Sequence, residues 1–115
     1  MQYLLLIYSE QKAVQAMSQQ KMGEMMQAFT AYTAMLRDKG VLLGSNRLQP
    51  VETAASVRVR DSKTNVMNGP FAETREQLGG YYLVEAPDMK TAQDYAAKCP
   101  GAAVGTIEVR PVWQM

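Results

Sequence analysis

Residues 2 to 8, QYLLLIY, are apolar on both alternating faces: Tyr3, Leu5 and Ile7 on one, Leu4, Leu6 and Tyr8 on the other. Side chains of a strand alternate strictly between the two sides of a sheet, so a strand of this kind expects cover on both. The run is also too short to cross a bilayer and lacks the basic start of a secretory leader. It reads as a buried strand of a cytoplasmic protein, and it demands two layers to cover it.

The first layer is legible downstream. After Ser18, an N-cap candidate, Met22, Met25, Met26, Phe29, Tyr32, Thr33 and Leu36 fall near a helical stripe. Arg37 and Lys39 occupy the last turn, and Gly40 suits the left-handed position that ends a helix. The spacing predicts a helix over 18 to 39, with a shorter helical turn after Ser9. VLLGSNRLQP resumes extended structure up to Pro50. In ASVRVRD, Val57 and Val59 alternate with Ser56, Arg58 and Arg60; a turn at DSKT and a return through NVMN predict a hairpin. GYYLVEA is a further strand. A second helix starts at the cap candidate Asp88, with Met89, Ala92, Tyr95, Ala96 and Cys99 on its apolar side, and ends at Pro100-Gly101. GTIEVRPV closes the chain as a strand with Ile107 and Val109 facing inward.

Strand, long helix, strand, hairpin, strand, helix, strand is a repeated split β-α-β pattern. This is an α+β, ferredoxin-like arrangement with an added hairpin. The 115 residues make one domain, 1–115, with no repeat, linker or low-complexity tract. Both helices share one sheet face, so the other face needs its own cover. A second copy of the chain is the simplest cover, and a homodimer is the expected state.

Composition narrows the chemistry. Formal net charge is +1, with no run of one sign to attract nucleic acid or an anionic membrane. Cys99 is the single cysteine, so the chain forms no internal disulfide, which suits a reducing cytosol. Its place on the apolar side of the second helix marks it as a core residue. Histidine is absent, which removes Ser–His and Cys–His pairs, a histidine base and histidine metal ligands. A zinc site would have to rest almost wholly on carboxylates, so no metal or other cofactor is expected.

The densest punctuation is NGPFAETREQLGGYYLVE, residues 68 to 85. Thr74 and Gln77 have capping-box spacing, and Gly79 could end a turn with left-handed geometry. The segment therefore reads as a short helical turn, serving either as a connector or as a pocket wall. Asn68 suits an Asx-turn; an aspartate there could also act as a base, which Asn cannot. Arg58, Arg60, Glu108 and Arg110 share a parity pointing away from the helices. They form either exposed or dimer-facing salt bridges, or a cationic patch for a carboxylate or phosphate. Glu73, Glu76 and Glu85 are the nearby carboxylates, with no catalytic residue singled out. Tyr81 and Tyr82 point to opposite faces, one to the core. The nine methionines read as adaptable core filling.

This motif closely resembles the signature of DGPF-type, YCII-related proteins, with Asn68 in place of the usual Asp. MQYLLLIYSE, RLQPVETAASVRVRD and GTIEVRPV match the family's other segments. The resemblance covers nearly the whole chain and implies a dimeric α+β barrel of ferredoxin-like protomers. Some YCII relatives are regarded as enzyme-like for a His/Asp arrangement; its histidine has no counterpart here. Many DGPF-type relatives are associated with extracytoplasmic-function sigma factors. Two functional expectations result. One is a homodimer with a pocket for a small polar or anionic molecule, walled by Arg58, Arg60, Asn68, Phe71, Glu73 and Glu76. The other is a regulatory protein acting with a sigma factor.

Overall fold

The computed structural model describes residues 1–114. Strand β1 (Gln2–Ser9) leads through a one-and-a-half-turn helix α1 (Gln11–Gln15) to the long helix α2 (Gln19–Asp38) and strand β2 (Leu42–Arg47). The hairpin strands β3 (Ala55–Arg60) and β4 (Lys63–Asn68) follow, then β5 (Gln77–Glu85), α3 (Met89–Lys98) and β6 (Thr106–Pro111). β2, β5, β1 and β6 lie side by side in that order, every pair antiparallel. The fold is mixed α+β and ferredoxin-like, with the hairpin as a separate two-stranded unit.

The helix ends follow their local chemistry. The Ser18 hydroxyl accepts from the Lys21 amide at 3.1 Å, and the Asp88 carboxylate accepts from the Thr91 amide at 2.8 Å. Each satisfies an amide that the first turn leaves without a carbonyl. Gly40, with φ of +72°, releases the chain from α2 in the conformation that glycine tolerates best. The short helix α1 begins one residue later than expected: Glu10 holds the cap position and makes no side-chain capping bond.

Tyr3 and Leu5 of β1, Tyr82 and Val84 of β5, Tyr32 and Leu36 of α2, and Ala92, Ala96 and Cys99 at α3 form one buried cluster. Leu5, Leu36 and Val84 are completely buried. The alanines let α3 approach the sheet closely, while Tyr32 and Tyr82 meet edge to face at 5.2 Å. Burial also disposes of the phenols' polar ends: the Tyr32 hydroxyl donates to the Tyr95 carbonyl at 2.7 Å. Leu4, Leu6, Tyr8, Tyr81 and Leu83 are half-buried and stand outside this cluster. They belong to the sheet's second face, opposite the helices, as the alternation of β1 and β5 requires.

The segment before β5 differs from the sequence expectation. Residues 74 to 79 form no helical turn, and Gly79 does not terminate one; β5 already begins at Gln77. Gly79 is the unpaired residue of a β-bulge between the pairs Ile7–Gly80 and Tyr8–Leu78. Its neighbour Gly80 answers a steric demand: a Cβ there would stand 2.8 Å from the Asn46 carbonyl oxygen across the β2–β5 seam. Sheet packing, not helix termination, accounts for Gly80, while Gly79 marks the bulge.

Candidate functional site

A cleft of about 650 Å³ opens on the helix side, beyond the end of the buried cluster. The first half of α2 forms one wall with Met22, Met25, Met26 and Phe29, and Met17 and Val14 of the preceding segment extend it. Ile7, Ser9 and the Gly79–Gly80 backbone line it from the sheet, and Leu48 and Pro50 from the chain after β2. The mostly apolar surroundings and few polar groups are those of a small-molecule site. Methionine side chains are unbranched and polarizable, so such walls adapt to the shape of an occupant.

The polar groups of the cleft are ordered. Thr33 directs its hydroxyl hydrogen to the Phe29 carbonyl at 2.8 Å and lies 2.7 Å from the Tyr82 hydroxyl. With Thr33's only hydrogen so engaged, Tyr82 donates to Thr33. Burial, the largest influence, pushes the Tyr82 phenol above its ordinary value. Tyr82 is thus a neutral phenol near pH 7. Arg37 and Arg47 are exposed residues of the lining; Arg47 Nη1 lies 3.5 Å from Met26 Sδ. Neither guanidinium forms an ion pair among the described residues, and the lining includes no Asp or Glu.

Gln11 organises the neighbouring chain. Its backbone amide donates to Gln77 Oε1 at 3.1 Å, its side-chain NH₂ group donates to the Glu52 carboxylate at 2.9 Å, and its side-chain oxygen accepts from the Val51 amide at 3.0 Å. One residue therefore ties α1 to β5 and to the turn at Val51–Thr53. Sequence reasoning missed Gln11, since a glutamine after a strand carries no pattern that distinguishes it from a surface residue.

The residues singled out in the sequence occupy other places. Arg58 stacks its guanidinium 4.9 Å above the Phe71 ring, joining the hairpin to the segment after it. Arg60 donates to the Val59 carbonyl at 2.9 Å. Asn68 ends β4 opposite Ala55, and its side chain makes no hydrogen bond among the described residues. The turn geometry falls on Gly69 instead, with φ of +103° and its amide 2.6 Å from the Ala54 carbonyl. Glu73 is exposed, while Glu76 accepts from the Thr106 hydroxyl at 2.8 Å. None of these six lines the large cleft; Glu76 lines a shallow, open depression with Tyr8, Glu10, Arg75 and Glu108.

The expected set of Arg58, Arg60, Glu108 and Arg110 is also divided. Glu108 and Arg110 pair with each other on β6, whereas Arg58 and Arg60 lie on the separate hairpin. Shared parity brings residues to one face only within one sheet. Glu85 pairs with the Met1 amino nitrogen at 2.7 Å. Tyr82 is the tyrosine that faces the core; Tyr81 points to the second face, where its hydroxyl accepts from Asn46 Nδ2 at 2.9 Å. Cys99 is buried, and burial raises its thiol pKa, leaving it inert at neutral pH. Among the described residues no three His, Cys, Asp or Glu side chains gather into a metal-binding group. No helix among them is long and apolar enough to cross a membrane.

A family model for the YCII-related domain matches residues 1–115, the whole chain. The chain belongs to the YCII-related family. This YCII-related chain is 35% identical over 114 residues to an uncharacterised protein of Rhizobium meliloti (strain 1021), covering 97% of this chain and 92% of that protein. Among solved structures it is similar to 5-chloro-2-hydroxyhydroquinone dehydrochlorinase (TftG) from Burkholderia phenoliruptrix AC1100, in complex with 2,5-dihydroxybenzoquinone. That likeness has a TM-score of 0.59 at 13% identity, over 99% of this chain and 94% of the other. It is a likeness of fold.

Proposed function

We propose that this YCII-related protein is a cytoplasmic homodimer that binds a small amphipathic anion in the cleft between α2 and the sheet. The observation that carries this reading is a methionine-walled cavity with two arginines, neither in an ion pair among the described residues, and no carboxylate among the described residues of its lining. An apolar body suits the methionine walls, and a carboxylate or enolate suits the guanidiniums, which bind planar oxyanions through paired hydrogen bonds. The dehydrochlorinase of similar fold holds 2,5-dihydroxybenzoquinone, a compact ring bearing acidic hydroxyls. That class of ligand satisfies both requirements. Binding is the role assigned: the Tyr82 phenol stays protonated, and among the described residues no carboxylate base lines the cleft. The second copy would lie against the sheet face bearing Leu4, Leu6 and Leu83, opposite the face on which the buried cluster packs the helices.

Titration of ¹³C-methyl-methionine protein with benzoate, 2,5-dihydroxybenzoquinone, octanoate and a sugar phosphate tests the reading. Cyclic or aliphatic acids should shift the methyls of Met22, Met25 and Met26, and Arg47→Gln should weaken that binding about tenfold or more, as expected for loss of a charged hydrogen bond. Shifts confined to residues 56–76 would move the site to the hairpin and its following segment. No shift with any acid would overturn the ligand-binding reading and favour a protein-partner role.

A further inference from the structure

The hairpin β3–β4 is well made and poorly covered. Its turn places Asp61 and Ser62 at φ of 51° and 62°, the geometry of a tight two-residue hairpin that matches strand twist. Six cross-strand pairs run from Ala55–Asn68 to Arg60–Lys63. On one face Val57 stands opposite Val66, with Val59 beside them. These three valines are 61%, 62% and 58% exposed for Val57, Val66 and Val59 respectively. The opposite face carries Arg58, Arg60, Lys63 and Asn65, together with Ser56 and the exposed Met67. The two strands pack extensively on each other and make no comparable packing with any other element among the described residues. A lone two-stranded hairpin is at best marginal in water, and β-branched apolar residues on one side of it call for a third layer.

The size of the molecule shows how much surface awaits cover. A compact monomer of this mass exposes about 6,300 Å²; this chain of 12.8 kDa exposes 8145 Å². The excess is about 1,900 Å², above the roughly 800 Å² that each partner contributes to an ordinary stable interface and within the range of obligate dimers. Its radius of gyration is 16.0 Å, against about 13 Å for a compact chain of this length.

We infer that β3–β4 is a dimerisation arm, which lays its Val57–Val59–Val66 face on a second copy of this chain. The inference rests on the homodimer proposed above and assigns the arm a part in holding it. The face with the three cations then stays in water, as charged groups prefer, and the half-exposed valines gain a covering layer. The same exchange accounts for a strand pair projecting from the body with a rigid turn at its tip rather than a loose loop.

Sedimentation velocity across a dilution series tests this with wild type, Val57→Lys/Val66→Lys, and Ala28→Lys/Ala31→Lys, which adds equal charge to exposed positions of α2. Wild type should sediment as a dimer, the arm variant as a 12.8 kDa monomer with unchanged far-UV circular dichroism, and the helix control as wild type. The arm variant's dissociation constant should rise at least about a hundredfold, since two charges enter an apolar contact. The milder Val57→Thr/Val66→Thr, which keeps side-chain shape and strand preference, should weaken the dimer by a smaller factor and guards against a folding failure. A monomeric wild type would overturn the dimer and the arm together. A dimeric wild type with both arm variants equally tight would overturn the arm alone.

Discussion

The four-stranded body and the projecting hairpin are written in the same code and meet different fates. In β1 the alternate residues Tyr3 and Leu5 are buried; in β3 the alternate residues Val57 and Val59 are more than half exposed. Alternation fixes which residues share a face, since side chains along a strand repeat every second position. Burial depends on what lies above that face. Over the body, α2 supplies Tyr32 and Leu36 and α3 supplies Ala92 and Ala96, whereas the arm's valines stay more than half exposed and outside the buried cluster. Local pattern therefore builds the strand, and a third layer turns it into a core.

The contrast is sharpest in truncations. Leu5→Ala or Leu36→Ala should cost about 2–5 kcal/mol, because each leaves a cavity in a fully buried site. Val57→Ala, measured by chemical denaturation at concentrations low enough to dissociate any dimer, should change stability by less than about 0.5 kcal/mol. Equal losses at the two sites would mean that the arm is covered within its own protomer.

A second pair divides the bulge. Gly80→Ala should destabilise by about 1–3 kcal/mol, because the added carbon must displace backbone at Asn46. Gly79→Ala should change little, since its nearest neighbour would be the Ile7 carbonyl oxygen at 3.9 Å. Denaturation midpoints of the two variants compare adjacent positions directly, and a reversal would show that the bulge, rather than the seam, selects glycine.

A smaller, pH-dependent effect distinguishes the capped helix α3 from the rest of the body. The Thr91 hydrogen bonds hold the Asp88 carboxyl below its ordinary value of 3.8. A group whose pKa is depressed by folding stabilises the native state above its unfolded pKa, and loses that contribution as pH falls through the folded one. Thermal melts should therefore place Asp88→Ala below wild type at neutral pH, with the gap closing below about pH 4. A gap that persisted through strong acid would assign the loss to the backbone rather than to the charged cap. The smallest expected change is Asn68→Asp, at under about 0.5 kcal/mol, because its side chain is exposed and makes no bond that the substitution would remove.

Ser18, Gly40 and Asp88 were legible because caps and stops are local: the side chain and the backbone groups it satisfies lie within a few residues. The ferredoxin-like class followed from the succession of elements for a similar reason, since chain connections restrict the ways they can stack. A helix stop and a bulge both favour glycine, so the sequence around Gly79 fits either, and only the pairing of β1 with β5 distinguishes them. Arg58 and Arg110 were grouped by parity, which holds within a sheet and fails between the sheet and a separate hairpin. The cleft was the least legible feature. Met22, Met25 and Met26 continue the apolar stripe of Tyr32 and Leu36, yet the buried cluster holds only the later pair. A change from methionine to larger and more rigid side chains along one stripe was the available signal.

That change along α2 separates two kinds of evolutionary constraint within one helix. The half bearing Tyr32 and Leu36 is held by folding, because its side chains complete the packing of β1 and β5. The half bearing Met22, Met25 and Met26 faces the cleft, where one unbranched side chain can replace another with little change to the core. Descendants of such a sequence could acquire new occupants by mutation at one end of α2 while inheriting the same scaffold from the other.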